Sequence, residues 1–178
     1  MKLRYDEIVI DIETTGLCPV VDEILQIAII DVNGNTLYNS YIKPICATEW
    51  TDAENINHIS PDMVKDAPDI YAAMPVVNAI LSQAKRIIGY NHINFDLEFM
   101  RAYGAIIPDD AELYDVMLEF APIYGERRYD TDDEYKWQKL TVCAAYYGYD
   151  WRNDKAHDGE ADCRATLHCY RKMTDKEQ

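Results

Sequence analysis

The sequence predicts an α/β protein built on a mixed five-stranded sheet, an antiparallel meander followed by parallel strands, with helices on its flanks. Early apolar runs lie on either side of Asn33-Gly34, the dipeptide most typical of a β-hairpin turn. Further along the chain, strand-like and helix-like segments alternate, as they do when helices connect parallel strands. No linker rich in proline, glycine or serine interrupts the 178 residues, so residues 1–178 are expected to form a single domain.

The first three strands are expected where β-branched and apolar residues cluster. Residues 6–13 form the first strand. Residues 23–32 are apolar at nearly every position, which indicates a central strand that is covered on both faces. Residues 36–44 form a third strand, antiparallel to the second, and Pro44 ends it.

Helical signals begin after the third strand. Ser60 is a candidate N-cap, with Pro61 in the first helical position. Residues 69–84 carry a second helical pattern, which Pro75 either kinks or interrupts. The remaining expected elements are a strand at 86–90, a helix from about 94 to Gly104, a strand at 111–116, helices near 115–123 and 139–147, and a last helix near 158–173.

The charge of the chain restricts the partners it can have. Its formal net charge is −15, with 32 acidic and 17 basic residues. This argues against a nucleic-acid partner unless acidic groups surround divalent cations or only a few nucleotides are bound. Nine basic residues lie between positions 127 and 172. Within the stretch 127–155, Arg127, Arg128 and Lys136 are candidates for contact with a nucleic-acid backbone; the alternative is an ordinary solvated surface.

The five cysteines indicate a cytoplasmic protein with reduced thiols. They are odd in number and include no Cys-x-x-Cys pair, which disfavours a disulfide framework or a zinc site. The early apolar run at 8–10 is cut short by Asp11, so no signal peptide is expected. No segment approaches the length of a membrane span, and no membrane partner is expected.

Two carboxylates lie where the first strand ends. Alternation along a strand puts Asp11 and Glu13 on the same face as Val9, roughly 7 Å apart. Two buried like charges are costly, and a divalent cation between them would remove that cost. The alternative is a frayed, solvated strand end, and so acidic a chain contains such pairs by chance.

Two further carboxylates lie at the start of predicted helices, each on a helical face whose other residues are apolar or small. Asp96 is followed at helical spacing by Phe99 and Met100, and Asp162 by Ala165 and Thr166. Asp96 could instead be an N-terminal residue stabilised by the helix dipole. Both are expected to point inward.

His157 precedes Asp162 by five residues. On one straight helix the two side chains would point about 140° apart, so they converge only if His157 lies in the loop before the helix. Gly159 is expected to ease that turn. If Asp158 and Glu160 lie close to the imidazole, they should raise the pKa of His157.

Four carboxylates and one histidine suggest a hydrolytic site with two metal ions. Two divalent ions about 3.5–4 Å apart can hold the attacking and leaving oxygens of a phosphoryl displacement. Oxygen ligands favour Mg²⁺ or Mn²⁺ over zinc. A histidine that titrates near neutrality can accept the proton of the attacking water.

Three segments, "DIETTGL", "NFDLEFM" and "HDGEAD", resemble in order and spacing the motifs of the DEDDh 3′→5′ exonucleases. That family includes the proofreading epsilon subunit of bacterial DNA polymerase III, ribonuclease T and oligoribonuclease. The resemblance covers nearly the whole chain and implies a single exonuclease domain with a ribonuclease H-like fold. It also implies that two divalent ions are bound by Asp11, Glu13, Asp96 and Asp162, and that His157 is the general base.

The resemblance also implies contacts with a substrate. Thr14 and Leu17 match positions that hold the 3′-terminal nucleotide, through the backbone and by wedging against the base. Phe95 matches an aromatic residue beside the second-motif aspartate. One departure precedes that motif, where many members carry His-Asn and this chain has Asn91-His92. No role is assigned to either residue.

The function expected from the sequence is metal-dependent 3′→5′ exonucleolytic hydrolysis of DNA, RNA or both to nucleoside 5′-monophosphates. Single-stranded 3′ ends are the expected partner, and a polymerase is a second candidate. Two alternatives remain. One is a polymerase-associated proofreading or nucleic-acid-binding module with little activity of its own, and the other is an endonuclease of the same fold.

Overall fold

A mixed five-stranded sheet lies at the centre of the computed structural model, which describes residues 5–129, 134–152, 154 and 156–174. The strands lie in the order β3-β2-β1-β4-β5. β1 is antiparallel to β2 and β2 to β3, whereas β1 and β4, and β4 and β5, are parallel. The predicted meander followed by parallel strands is therefore confirmed. The strands are β1 (Tyr5–Thr14), β2 (Ile24–Asp31), β3 (Thr36–Tyr41), β4 (Ala84–Gly89) and β5 (Glu112–Asp115).

Helices flank both faces of the sheet. None of the described helices is long and apolar enough to span a membrane. α3 continues through Pro75, so the proline does not end the helix. The helices are α1 (Thr51–Asn57), α2 (Pro61–Val64), α3 (Ile70–Leu81), α4 (Asp96–Ala102), α5 (Val116–Tyr124), α6 (Leu140–Tyr146) and α7 (Gly159–Thr174).

The sequence did not predict α1. The helix has seven residues, too few for an apolar periodicity to show. Its one sequence signal is the pair of acidic residues, Asp52 and Glu54, in its first turn. This omission matters because α1 contributes side chains to the cavity described below.

The alternation of β1 separates two cores. Ile8, Ile10 and Ile12 pack with residues of α3 and α4 on one face of the sheet. Val9 packs on the opposite face with residues of β2, α5, α6 and α7. Because side chains alternate along a strand, Asp11 faces the α7 side with Val9, as the sequence predicts.

The polar residues 125–137 carry no helix or strand pattern in the sequence and are expected to form a loop or irregular segment, but part of this segment is paired. Arg127 lies opposite Tyr135 in an antiparallel bridge. The backbone N–H of Arg128 donates to Glu134, and that of Lys136 donates to the carbonyl of Glu126. We call this pairing of residues 126–129 with residues 134–137 the 126–137 hairpin. Within the basic stretch 127–155, residues 130–133, 153 and 155 lie outside the described residues.

Candidate active site

All eight residues that the sequence assigned to metal binding, catalysis or the terminal nucleotide line one cavity of about 560 Å³. The cavity lies where the end of β1, the start of α4 and the start of α7 meet. A site of this volume has the size of a typical small-molecule pocket. The eight residues are Asp11, Glu13, Asp96, Asp162 and His157, together with Thr14, Leu17 and Phe95.

The loop after β1 holds an apolar side chain at the mouth of the cavity. Leu17 is 83% exposed although it lines the cavity. Asp22 supports the loop by accepting a hydrogen bond from the N–H of Cys18 at 2.9 Å. A Cβ at Gly16 would lie 2.5 Å from the Asp22 carboxylate, so only glycine allows this close approach. The loop is therefore a defined structure that places Leu17 at the mouth of the cavity.

Asp96 is tied directly to the backbone of β1. Its Oδ1 accepts a hydrogen bond from the N–H of Ile12 at 2.9 Å, and the side chain is buried. The bond fixes the start of α4 against the strand that carries Asp11 and Glu13. Phe95, the residue before the helix, stacks on Phe99 with ring centroids 5.0 Å apart.

The Asn91-His92 departure has a structural explanation. His92 is fully buried, and its Nδ1 lies 3.5 Å from Oδ2 of the buried Asp115. Asp115 also accepts hydrogen bonds from the backbone N–H groups of Asn91 and Ile93. Burial raises the pKa of Asp115, but His92 and these N–H groups outweigh it and lower that pKa overall. His92 is not among the residues that line the cavity. It lies beside Asp115 and thus supports the turn that leads into Asp96.

The approach of His157 to Asp162 depends on an unusual backbone conformation. His157 has φ +68°, in the left-handed region, and its N–H donates to Oδ2 of Asp162 at 3.1 Å. The expectation that Gly159 makes the turn is therefore wrong. Gly159 instead allows close packing, because a Cβ there would lie 3.2 Å from Cβ of Ala28 and 3.5 Å from Oδ2 of Asp11. Its N–H donates to the side chain of Gln26.

The four carboxyl groups are strongly coupled. Burial, followed by the charges of the neighbouring carboxylates, raises the pKa of Glu13 to about 8 and that of Asp11 well above its usual value. Burial is also the main cause that raises the pKa of Asp96 and that of Asp162 to about 7. Near neutral pH the four groups cannot all ionise without a nearby cation.

The pKa of the His157 imidazole is shifted in the opposite direction. Burial, with smaller effects of His58 and Lys139, lowers its pKa. The expected rise caused by Asp158 and Glu160 does not occur. The carboxylate of Glu160 is engaged by two polar side chains of β3 and by an arginine of α7.

The cavity has the donor set for a divalent cation. One ligand atom each from Glu13, His157 and Asp162 lie within 4.8 Å of one another. Oδ1 of Asp162 is buried and has no hydrogen-bond partner among the described residues. An unsatisfied buried carboxylate oxygen beside a second carboxylate fits a metal ligand, because a cation would supply the missing interaction.

The sequence analysis missed further polar residues of the cavity, among them Asn57 and Tyr90. Asn57 of α1 donates from Nδ2 to the carbonyl of Thr14 at 3.2 Å, and its amide partly offsets the rise in the pKa of Glu13. Tyr90 donates to the carbonyl of Gln138 at 2.8 Å. Both side chains are placed by elements distant in sequence from β1, so no local pattern reveals their position.

The motif order, the sheet and this site agree with the result of a family comparison. The family model described as Exonuclease matches residues 8–170 of the chain. The chain belongs to the exonuclease family. An uncharacterized exonuclease, CP81, of Escherichia phage 186 is 33% identical over 93% of this chain and 86% of its own length. The assignment to DEDDh-type exonucleases is thereby confirmed.

Other relatives are much longer than this exonuclease. The PolC-type DNA polymerase III of Thermotoga maritima is 32% identical over 54% of this chain, a match that covers 7% of the polymerase. E. coli exonuclease I in complex with a dA16 oligonucleotide has a TM-score of 0.75 at 22% identity. That match covers 97% of this chain and 42% of exonuclease I. The predicted ribonuclease H-like α/β fold is confirmed.

Proposed function

We propose that this exonuclease removes nucleotides one at a time from the 3′ end of a nucleic acid and releases nucleoside 5′-monophosphates. One observation carries the proposal. Carboxylates from β1, α4 and α7 meet His157 in one cavity, and Leu17 and Phe95 form apolar walls of that same cavity. A terminal nucleotide needs both parts, a charged site for its phosphate and apolar surfaces for its base.

Asp11, Glu13, Asp96 and Asp162 would hold two divalent ions, Mg²⁺ or Mn²⁺. When bound, such ions lower the pKa of water and neutralise the charge that develops on a phosphoryl group. The raised pKa values of the four carboxyl groups support this assignment, because a cation is what would let all four ionise together.

His157 is proposed as the general base. Its lowered pKa leaves the imidazole neutral at physiological pH, in the form that accepts a proton. The hydrogen bond from its backbone N–H to Asp162 places the ring beside the carboxylates. The imidazole can thus accept the proton of the water that attacks the terminal phosphodiester.

Thr14, Leu17 and Phe95 are proposed to hold the terminal nucleotide. Leu17 and Ile56 of α1 are 83% and 56% exposed, and both line the cavity. Exposed apolar side chains at a cavity mouth can pack against a base without reading its identity. Exonuclease I, whose solved structure contains single-stranded dA16, supports a single-stranded end as the substrate.

End-labelled oligonucleotides test this proposal. With Mg²⁺ or Mn²⁺, a 3′-labelled single strand should release labelled nucleoside 5′-monophosphate, and the Asp11→Asn variant should release almost none. Hydrolysis rates on DNA and RNA of matched sequence, each in single-stranded and double-stranded form, identify the preferred substrate. Cleavage of circular single-stranded DNA would point to the endonuclease alternative, since an exonuclease requires an end. Failure of the folded protein to act on any linear strand would refute the proposal.

The polymerase relatives support a second candidate, proofreading within a polymerase assembly. Their matching segments make up 7–8% of long PolC-type enzymes, so related exonuclease sequences occur inside polymerases. This function predicts that a polymerase subunit binds the protein and stimulates hydrolysis of a mismatched 3′ end over a matched one. Equal rates on the two ends, with and without the polymerase, would exclude it.

A further inference from the structure

The 126–137 hairpin carries a surface groove that the candidate active site does not include. The groove has a volume of about 550 Å³. Tyr129 is 89% exposed and Trp137 is 40% exposed. Its lining residues are Arg127, Arg128, Tyr129, Lys136 and Trp137. Open aromatic faces beside cations are what proteins use to bind single-stranded nucleic acid, because bases stack on the rings and phosphates pair with the cations.

Two cations of the groove, Arg127 and Lys136, form surface ion pairs. Nζ of Lys136 lies 2.9 Å from Glu126, and a guanidinium nitrogen of Arg127 lies 3.6 Å from Glu134. The Lys136 and Arg127 side chains are 55% and 59% exposed. Exposed ion pairs contribute little free energy, so phosphate groups can replace these carboxylates. Since Glu126 and Glu134 lie within the hairpin, the aromatic faces should carry much of the binding.

The hairpin is joined to the active-site cavity. Tyr90, which lines the cavity, donates a hydrogen bond to the carbonyl of Gln138, the residue after Trp137. The buried side chain of Gln138 donates to Glu126 at 2.9 Å and so links the two ends of the hairpin. We therefore expect a nucleic-acid strand that leaves the cavity past Tyr90 to reach the groove.

We infer that the groove of the 126–137 hairpin is a second binding site for single-stranded nucleic acid, upstream of the 3′-terminal nucleotide. The inference rests on the proposed function in one respect, because that function assigns the 3′-terminal nucleotide to the active-site cavity. A nucleic acid fits better than a protein partner because the groove combines cations with aromatic faces and adjoins the cavity that would hold the end. The site would lower the KM for strands long enough to reach it, in a chain whose net charge of −15 otherwise repels them.

Substrate length tests the inference. Single-stranded sites commonly span about 4–16 nucleotides, so a strand of about 12 should reach the groove and a trinucleotide should not. The Tyr129→Ser/Trp137→Ser variant should raise the KM for the longer strand about fivefold or more, because base stacking is lost. Its KM and kcat on the trinucleotide should stay unchanged. Tyr129→Ser alone should show a smaller effect in the same direction, and this exposed position should not affect folding.

Fluorescence anisotropy with chelator present measures the same binding without hydrolysis. The longer strand should bind the double variant more weakly than the unmodified protein. The matched control is Tyr71→Ser, which removes a 66% exposed tyrosine from α3, on the other face of the sheet. Replacing Arg127, Arg128 and Lys136 with glutamine should reduce the salt dependence of binding.

Two results would overturn the inference. One is unchanged affinity and KM for the longer strand in both aromatic variants. The other is an equal loss on the trinucleotide and the longer strand, which would indicate a disturbed active site. An inactive protein that still binds the longer strand through Tyr129 and Trp137 would refute the proposed function but not this inference.

Discussion

His157 is the single residue on which the proposed chemistry depends most. Its left-handed backbone brings it to Asp162, which a helical residue five positions earlier could not reach with its side chain. The sequence predicted that the two converge but attributed the turn to Gly159. The physical reason for the error is that Gly159 packs closely against Ala28, where an added Cβ would lie 3.2 Å from the alanine Cβ, and spacing does not reveal such a tertiary contact.

His157→Ala should lower turnover far more than metal affinity. A general base typically contributes about 10²–10⁴-fold to the rate, whereas the four carboxylates remain to hold the ions. Single-turnover hydrolysis and a Mn²⁺ titration by calorimetry measure the two quantities. Comparable losses of rate and of Mn²⁺ affinity would make His157 primarily a metal ligand, contrary to the proposed role.

Asn57→Ala should destabilise the fold and the end of β1 in particular. Its side chain donates to the carbonyl of Thr14 and accepts from the N–H of Ile59, and both partners would be left without it. Losing buried hydrogen bonds of this kind costs about 1–3 kcal/mol of unfolding free energy. Urea unfolding measures the loss, and Asn55→Ala, on the exposed side of the same helix, is the control. If the two variants are equally stable, Asn57 does not hold β1.

At the scale of elements, most strands and helices could be predicted from sequence, and the exceptions share a cause. The antiparallel meander followed by parallel strands was predicted from a hairpin turn and from alternating periodicities, which are local signals. α1 is too short to show a period, and the 126–137 hairpin is held by long-range bonds such as that from Tyr90 to Gln138. These tertiary contacts, which the sequence pattern does not encode locally, also complete the cavity and the groove.

The segment before α7 is anchored by one ion pair. Arg164 of α7 makes two hydrogen bonds to the carboxylate of Asp154, at 3.1 and 2.8 Å. This pair secures the chain that leads into His157. Arg164→Gln should therefore reduce kcat roughly tenfold or more through displacement of the base, with little change in KM.

Arg101→Gln is the matched control for Arg164→Gln. Arg101 pairs with Glu98 on the exposed side of α4, at 2.7 Å, and touches no part of the cavity. Both substitutions remove one surface charge, so a shared electrostatic effect on substrate binding appears in both. Equal kcat values for the two variants would show that the Asp154 pair does not position His157.

For the whole molecule, the clustered carboxylates link stability to pH and to metal. The folded-state pKa values of Glu13, Asp96 and Asp162 are about 8, 7 and 7, above the usual values of unfolded carboxyl groups. The folded state therefore binds more protons than the unfolded state between about pH 4 and pH 8, and the free energy of unfolding falls as pH rises through that range. A divalent ion that binds only the folded state opposes this loss.

We therefore expect Tm in the presence of chelator to be lower at about pH 8 than at about pH 6, and Mn²⁺ to reduce or reverse the difference. Scanning calorimetry measures both effects. Asp11→Asn removes one of the interacting charges and should flatten the dependence on pH. A Tm in chelator that is constant or higher at the higher pH would mean that the carboxylates are not forced together in the fold.

The most direct measurement of the central claim follows a 5′-labelled single-stranded oligonucleotide during hydrolysis with Mn²⁺. The predicted result is a ladder that shortens from the 3′ end by one nucleotide at a time. It should be absent with chelator and nearly absent with Asp162→Asn. Immediate release of a labelled mononucleotide, internal fragments without a ladder, or an undiminished ladder from Asp162→Asn would contradict a 3′→5′ exonuclease site at these carboxylates.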